Sequence, residues 1–365
     1  MPEPLKNIYS KAFIDEFTTV LKKVYPPLDA NRFTKLIFDK GWAEKELKQR
    51  MRHIAEVLKQ FLPENFSEST EIISRCIDEL KNIYEGEMSL AYMFFPDFVE
   101  VYGIEDFENS IMAFEKITTF ASAEFAVRPF LIKYPEKMQK QMLKWSAHPH
   151  AMVRRLASEG FRPRLPWGMA VPYLKKDPSI ILPVLENLKQ DESETVRRSV
   201  ANNLNDIAKE HPELVMQIAS KWKGLSTETD WIIRHGSRTL LKRGHSSALK
   251  FYGLTEIKGV QVTNLKTNKK KLKIGDDLIF SFILSVKKEA KLRIEYGIDF
   301  VKANGKTSRK IFKLSENIFK KGDHDLSRKQ SFKDFTTRKH YPGKHTIAIL
   351  VNGQEKEKAE FALSK

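Results

Sequence analysis

Hydrophobic positions over roughly the first 250 residues recur three and four apart, the spacing that gathers them on one face of an α-helix. Leu21 to Val24, Phe33 to Phe38 and Met51 to Phe61 follow this rhythm, and Pro26-Pro27, Gly41 and Pro63 interrupt it. From about residue 115 a longer period lies over the short one. The segments HAMVRRLASEGF (150–161), SETVRRSVANNLNDI (193–207) and DWIIRHGSRTLL (230–241) each set a β-branched residue before two basic ones. These are Val153-Arg154-Arg155, Val196-Arg197-Arg198 and Ile233-Arg234-His235, spaced by 43 and 37 residues. That interval matches a HEAT-type helix pair. Such pairs bury their apolar faces only by stacking, which builds a curved solenoid with an extended concave surface. Val196, Val200, Leu204 and Ile207 form the apolar stripe of one helix, and Arg198, Asn202 and Asp206 run along another face. In the repeat register, Arg155 and Glu159 take the places of Arg198 and Asn202.

After residue 258 the period becomes two. Leu278 to Leu284, Lys291 to Tyr296, Lys344 to Leu350 and Ala359 to Leu363 have strand patterns, and Asn304-Gly305 and Asn352-Gly353 signal tight hairpin turns. About seven short strands predict an antiparallel sandwich of immunoglobulin-like type. The expected architecture is an all-α HEAT-like repeat solenoid over 1–258 and an all-β immunoglobulin-like sandwich over 259–365.

Charge sharpens this division. The net charge is +16, which points to a polyanionic partner, nucleic acid before an acidic membrane surface. Residues 259–365 carry 25 Lys and Arg against 12 Asp and Glu, a net +13, leaving 38 against 35 for the rest. The run Lys266, Lys269, Lys270, Lys271 is a candidate phosphate contact in this basic module. No apolar stretch is long enough for a membrane span, and the N-terminal residues lack the layout of a signal peptide. With Cys76 the one cysteine, the expectation is a reducing cytoplasm.

The motifs of several enzyme classes are missing: no GxSxG, GxxxxGK[ST], GxGxxG or HExxH occurs. The nine histidines are scattered and offer no metal-ligand spacing, so no metal and no cofactor are expected. What remains is a cluster of carboxylates, arginines and a tryptophan. Four arginines (Arg154, Arg155, Arg162, Arg164) surround Glu159 and run to Trp167, and Glu124 lies upstream in ASAEFAVRPF. Helix spacing alone also allows a plain role, with Arg155 and Glu159 a solvated pair and Trp167 a plug between repeats.

The segments RMRHIAEVL (50–58), SAEFAVRPFL (122–131), HPHAMVRRLASEGFRPRLPW (148–167) and VRRSVANNLNDIAKEHPE (196–213) resemble the AlkC type of DNA alkylation repair glycosylase, within the HEAT-like glycosylase superfamily. SEGFRPRLPW is the most specific of them. Some members of that family carry a C-terminal immunoglobulin-like domain. The resemblance implies an active site of Glu124, Arg155, Glu159, Trp167 and Asp206. It also implies excision of positively charged N3-alkylated bases, chiefly 3-methyladenine and 3-methylcytosine, from bent double-stranded DNA, without strand cleavage. The expected protein is a monomer in a bacterial cytoplasm, at the nucleoid.

These residue types suit that chemistry. A cationic base leaves readily, and the difficult species is the oxocarbenium-like sugar left behind. Carboxylates beside C1′ stabilise it, with Asp206 first and Glu159 and Glu124 next to it, and one of them can orient water. The Trp167 indole face favours a cation, by about 0.5–2 kcal/mol. Arg154, Arg155, Arg162, Arg164, Arg198, Lys269, Lys270 and Lys271 are the expected DNA contacts. The alternatives are a non-enzymatic HEAT scaffold binding nucleic acid or protein, and a lipid-surface adaptor using the basic sandwich.

Overall fold

Short polar side chains start several of the helices. Ser10 Oγ accepts from Phe13 N at 3.2 Å and Asp29 Oδ1 from Arg32 N at 3.0 Å, satisfying donors that the first turn leaves open. The computed structural model describes residues 3–83, 90–256, 258–335 and 338–365. Among the described residues there are sixteen α-helices and then eight strands. The first helices are α1 (Lys11–Val24), α2 (Ala30–Ile37), α3 (Leu47–Lys59), α4 (Phe66–Ile83), α5 (Phe94–Tyr102) and α6 (Phe107–Ile117). Then come α7 (Val127–Lys133), α8 (Pro135–Trp145), α9 (Ala151–Gly160), α10 (Pro172–Lys176), α11 (Leu182–Leu188) and α12 (Glu194–Ile207). The last four are α13 (Pro212–Trp222), α14 (Thr227–Gly236), α15 (Arg238–Lys242) and α16 (Ser246–Phe251).

Packing divides the chain into two compact units. One holds the residues up to Glu210 together with Lys223–Gly236, and the other holds His211–Trp222 and Ser237–Lys365. In the first unit, α1, α2, α5 and the segment before α5 meet through Phe17, Phe33, Tyr92, Phe94 and Phe95, all fully buried. The three segments that share the basic-pair pattern are α9, α12 and α14, and α12 packs against both of the others. Two glycines allow the close approaches. A Cβ on Gly160 would come within 2.8 Å of Val127 Cγ2, and one on Gly236 within 2.8 Å of Leu204 Cβ.

The second unit is built on strands β1 (Val260–Thr267), β2 (Lys271–Lys273), β3 (Asp277–Val286), β4 (Ala290–Val301), β5 (Thr307–Phe319), β6 (Gly322–Ser331), β7 (Gly343–Val351) and β8 (Gln354–Ser364). They form a three-stranded sheet, β1-β3-β6, and a five-stranded sheet, β2-β8-β7-β4-β5, whose inner faces share one core around Leu278, Phe280, Phe282, Ile294, Ile298 and Ile347. All pairings are antiparallel except that of β2 with β8. Asn352 (φ 49) and Gly353 (φ 77) make the two-residue turn that the Asn-Gly pair predicts, with both residues left-handed. At Asn304-Gly305 only the glycine is left-handed (φ 76), and Lys302 N donates to Lys306 O across a three-residue loop.

Compactness divides the chain differently from the change of period. The period marks where strands begin, but α13, α15 and α16 group with the strands. The β7–β8 turn explains part of this: Asn352 Nδ2 donates to Thr255 O at 2.9 Å, and a Cβ on Gly353 would lie 2.8 Å from Gly244 Cα. No described helix is long and apolar enough to cross a membrane.

Candidate active site

The site is built where α9 meets α12. The apolar face of α9, with Met152, Val153, Leu156 and Ala157, is buried, and this turns Arg155 and Glu159, one helical turn apart, onto another face. Arg155 Nη1 donates to Glu124 Oε2 at 3.2 Å and to Ser122 Oγ at 2.9 Å. Beyond Gly160 the chain turns, and the Arg162 side chain folds back inside. Its Nη1 donates to Glu159 Oε1 at 2.6 Å and its Nε to Asp206 Oδ2 at 2.9 Å. One guanidinium thus joins a carboxylate of α9 to a carboxylate of α12.

The remaining oxygens of the pair are also held. Ser199 Oγ donates to Glu159 Oε2 at 2.6 Å, and Lys209 Nζ to Asp206 Oδ1 at 3.0 Å. Asn203 Nδ2 donates to Ser158 O at 2.9 Å and fixes the two helices to each other. Glu159, Arg162 and Asp206 are all buried. Burial works against the Arg162 cation, but the charges of Glu159 and Asp206 outweigh it and hold the guanidinium above its ordinary value. The result is a preorganised chain of charge, Glu159–Arg162–Asp206–Lys209, with the Glu124–Arg155 pair formed one helical turn back along α9.

Trp167 sits on the turn that follows Arg162. The residue is 67% exposed, and its backbone is left-handed at φ 63, a conformation that costs a residue bearing a Cβ on the order of 1–2 kcal/mol. Gly168 N closes the turn onto Leu165 O at 3.1 Å. Lys48 Nζ donates to the Trp167 carbonyl. Arg128, fully buried, donates to the carbonyls of Met169, Gly160 and Arg162.

The structure therefore gathers Glu159, Arg162 and Asp206 into one set of contacts and Glu124 with Arg155 into another; Trp167 stands five residues beyond Arg162. Other expected contact residues lie differently. Arg162 is a buried bridge between carboxylates, not a surface cation. Arg154, about 100° around α9 from Arg155, forms a two-pronged pair with Asp191 at 2.6 and 3.0 Å. Arg164 pairs with Glu210, its Nε 3.2 Å from Oε2, and stays 40% exposed. Arg198 is exposed and paired with Glu194 one turn away. Lys270 and Lys271 are exposed in the second unit, and Lys269 lies 3.3 Å from Asp276. Ser199, Lys209, Arg128 and Lys48 were not anticipated. Lys209 is signalled by its three-residue spacing from Asp206; Arg128 carries no signal, because its partners are backbone carbonyls more than 30 residues away. Among the described residues no group of three or more His, Cys, Asp or Glu is disposed to hold a metal ion.

The helical unit thus carries buried carboxylates bridged by arginine, and the chain continues into an immunoglobulin-like unit. Residues 47–240 match the model of the DNA alkylation repair enzymes, and the chain belongs to that family. Residues 261–365 match the C-terminal immunoglobulin-like domain of YhaZ. YhaZ of Bacillus subtilis strain 168 is 46% identical over 358 residues, 98% of either chain. The alkylpurine DNA glycosylase AlkC of Pseudomonas fluorescens, solved bound to DNA containing an abasic-site analogue, superposes with a TM-score of 0.93 at 36% identity over the whole of both chains.

Proposed function

We propose that this protein is a monofunctional DNA glycosylase that removes positively charged alkylated bases, 3-methyladenine and 3-methylcytosine, from double-stranded DNA. The Arg162-bridged pair of Glu159 and Asp206, within the span that matches the repair family, is the observation that carries this reading. The bond from C1′ to the base breaks with its electron pair leaving on the base, and a cationic base departs neutral without a proton. C1′ gains positive charge and then takes up water, whose spare proton passes to a carboxylate or to solvent.

Asp206, Glu159 and Glu124 supply fixed negative charge for the developing oxocarbenium, and Trp167 offers its indole face to the cation. Arg162 aims two buried carboxylates without competing for the sugar from solvent. Lys209, on the exposed side of Asp206, exchanges that carboxylate for a DNA phosphate on binding and releases Asp206 Oδ1 to the sugar. Arg155, Arg164 and Arg198 face flanking phosphates. A scaffold that only binds partners has no need of buried carboxylates held in this way.

In this reading residues 1–258 are a stack of HEAT-like pairs that carries the chemistry. The basic residues 259–365 add phosphate contacts through Lys266, Lys269, Lys270 and Lys271. The protein acts as a monomer in the bacterial cytoplasm, at the nucleoid, with no metal or cofactor. The DNA-bound AlkC supports DNA as the partner. The deciding experiment is incubation of the pure protein with duplex DNA treated with a methylating agent, followed by chromatography of the released bases. The expected products are 3-methyladenine and 3-methylcytosine with the strands intact. Release of neither base, by a folded protein that binds the DNA, would remove the glycosylase assignment.

A further inference from the structure

We propose that Arg128 and Lys48 are positioning residues for Trp167: together they hold the turn from Gly160 to Met169 in the strained form that presents the indole. The inference rests on the glycosylase reading only for what Trp167 faces, not for how the turn is held. Trp167 is left-handed and two-thirds exposed, so the strain in its backbone is not offset by burial of its own ring. It has to be held from elsewhere.

Arg128 holds both ends of the turn. Its Nη1 donates to Gly160 O at 2.9 Å and Arg162 O at 3.0 Å at the start, and its Nε donates to Met169 O at the end. No described carboxylate forms an ion pair with it, and burial pushes the guanidinium down to about 10. A buried cation spent on backbone carbonyls adds little stability and much geometric definition, because its planar fork fixes three acceptors at once. Gly168 fits beneath it with no room to spare: a Cβ there would stand 3.1 Å from Arg128 Cδ and 2.9 Å from Leu165 Cδ2.

Lys48 fastens the middle of the turn. Its Nζ donates to the Trp167 carbonyl and stands 4.5 Å from the centroid of the Phe125 ring, next to Glu124 in sequence. Lys48, Phe125 and Met169 line the same open pocket of about 510 Å³. The residue before Phe125 pairs with Arg155, and the residue that Arg128 grips at the start of the turn carries the Glu159–Asp206 bridge. The two clamps therefore fix the indole relative to the carboxylates.

The test combines Lys48→Met and Arg128→Lys with Trp167→Ala in double-mutant cycles. Each clamp variant is expected to lower single-turnover release of 3-methyladenine, at saturating enzyme, by roughly tenfold to 10²-fold. The same change in the Trp167→Ala background is expected to cost less than about twofold, since nothing remains to be positioned. In parallel, the fluorescence anisotropy of Trp167, isolated by subtracting the signal of the matching Trp167→Phe protein, should fall in both clamp variants without DNA. If Arg128→Lys does not fold, Lys48→Met, at an accessible position, carries both readouts. Full loss in the Trp167→Ala background, or unchanged anisotropy, would overturn the proposal. Should the parent release no base at all, the glycosylase reading falls, and the anisotropy still decides whether the clamp exists.

Discussion

Arg162 Nε lies 2.9 Å from Asp206 Oδ2, a contact that spans 44 residues of chain and ties the turn after α9 to α12. The same guanidinium holds Glu159 at 2.6 Å. Removing it leaves two buried carboxylates facing each other across the helix interface. Breaking a buried pair in this way costs about 3–5 kcal/mol, less here to the extent that Lys209 still pairs with Asp206 and Ser199 still donates to Glu159. Arg162→Gln should therefore lower the denaturant midpoint strongly and weaken catalysis as well. A variant with the parental midpoint would show that the bridge is not part of what holds α9 to α12.

Lys209 has a different expected signature. It is the accessible partner of Asp206, with 29% of its side chain exposed. Lys209→Met should weaken DNA binding and flatten its dependence on salt by about one phosphate contact. Its single-turnover rate with DNA saturated should stay within a few-fold of the parent, since Asp206 keeps Arg162. A large fall in that rate with unchanged affinity would place Lys209 in the chemistry instead.

The basic module makes a separate prediction. Changing Lys266, Lys269, Lys270 and Lys271 together to Gln in the full chain should lower the slope of log affinity against log salt by about 0.9 for each phosphate that is no longer neutralised. Lys269 already has Asp276 as a partner and is expected to contribute least. An unchanged slope would remove these lysines from the DNA interface.

The strand-rich unit should respond to acid. His340 and His345 are buried among Phe300, Phe332 and Phe361, and burial lowers the pKa of both. Asp334, 3.2 Å from His340 Nδ1, opposes the shift, and Arg338 and Lys310 add to it. A depressed histidine binds its proton in the unfolded chain first, so stability is full above about pH 6.5 and is lost as pH falls toward the folded values. Hydrogen exchange of β4 and β7 amides should accelerate in that window. Replacing both histidines with Gln should remove this component; an undiminished acid response would assign it to other groups.

Much of the fold was legible because both periods are strong. Val153, Val196 and Ile233 mark three helices that stack as neighbours, and Asn352-Gly353 forms the turn that its two residues favour. The finer features depend on long-range packing. Adjacent arginines show it best: Arg154 and Arg155 differ by about 100° around α9, so one meets Asp191 and the other Glu124, a choice no composition reveals. The short β2 escaped notice because three residues carry little pattern. A shift of register in β1, with Asn264 left-handed at φ 60, leaves no sequence mark stronger than the asparagine itself. The inward turn of Arg162 follows from the burial of residues 160–163, which the density of arginines there conceals.

In the proposed mechanism the Asp206 charge acts in the chemistry, and Asp206→Asn is the sharpest test of it. The amide keeps the shape and most of the hydrogen bonding but removes the charge that faces Arg162 and Lys209. The expected variant is a folded protein that binds alkylated duplex DNA as well as the parent or slightly better. Its single-turnover release of 3-methyladenine should be slower on the order of 10²-fold or more. A folded Asp206→Asn protein that releases 3-methyladenine at the parental rate would contradict the mechanism and move the catalytic charge to Glu159 or Glu124.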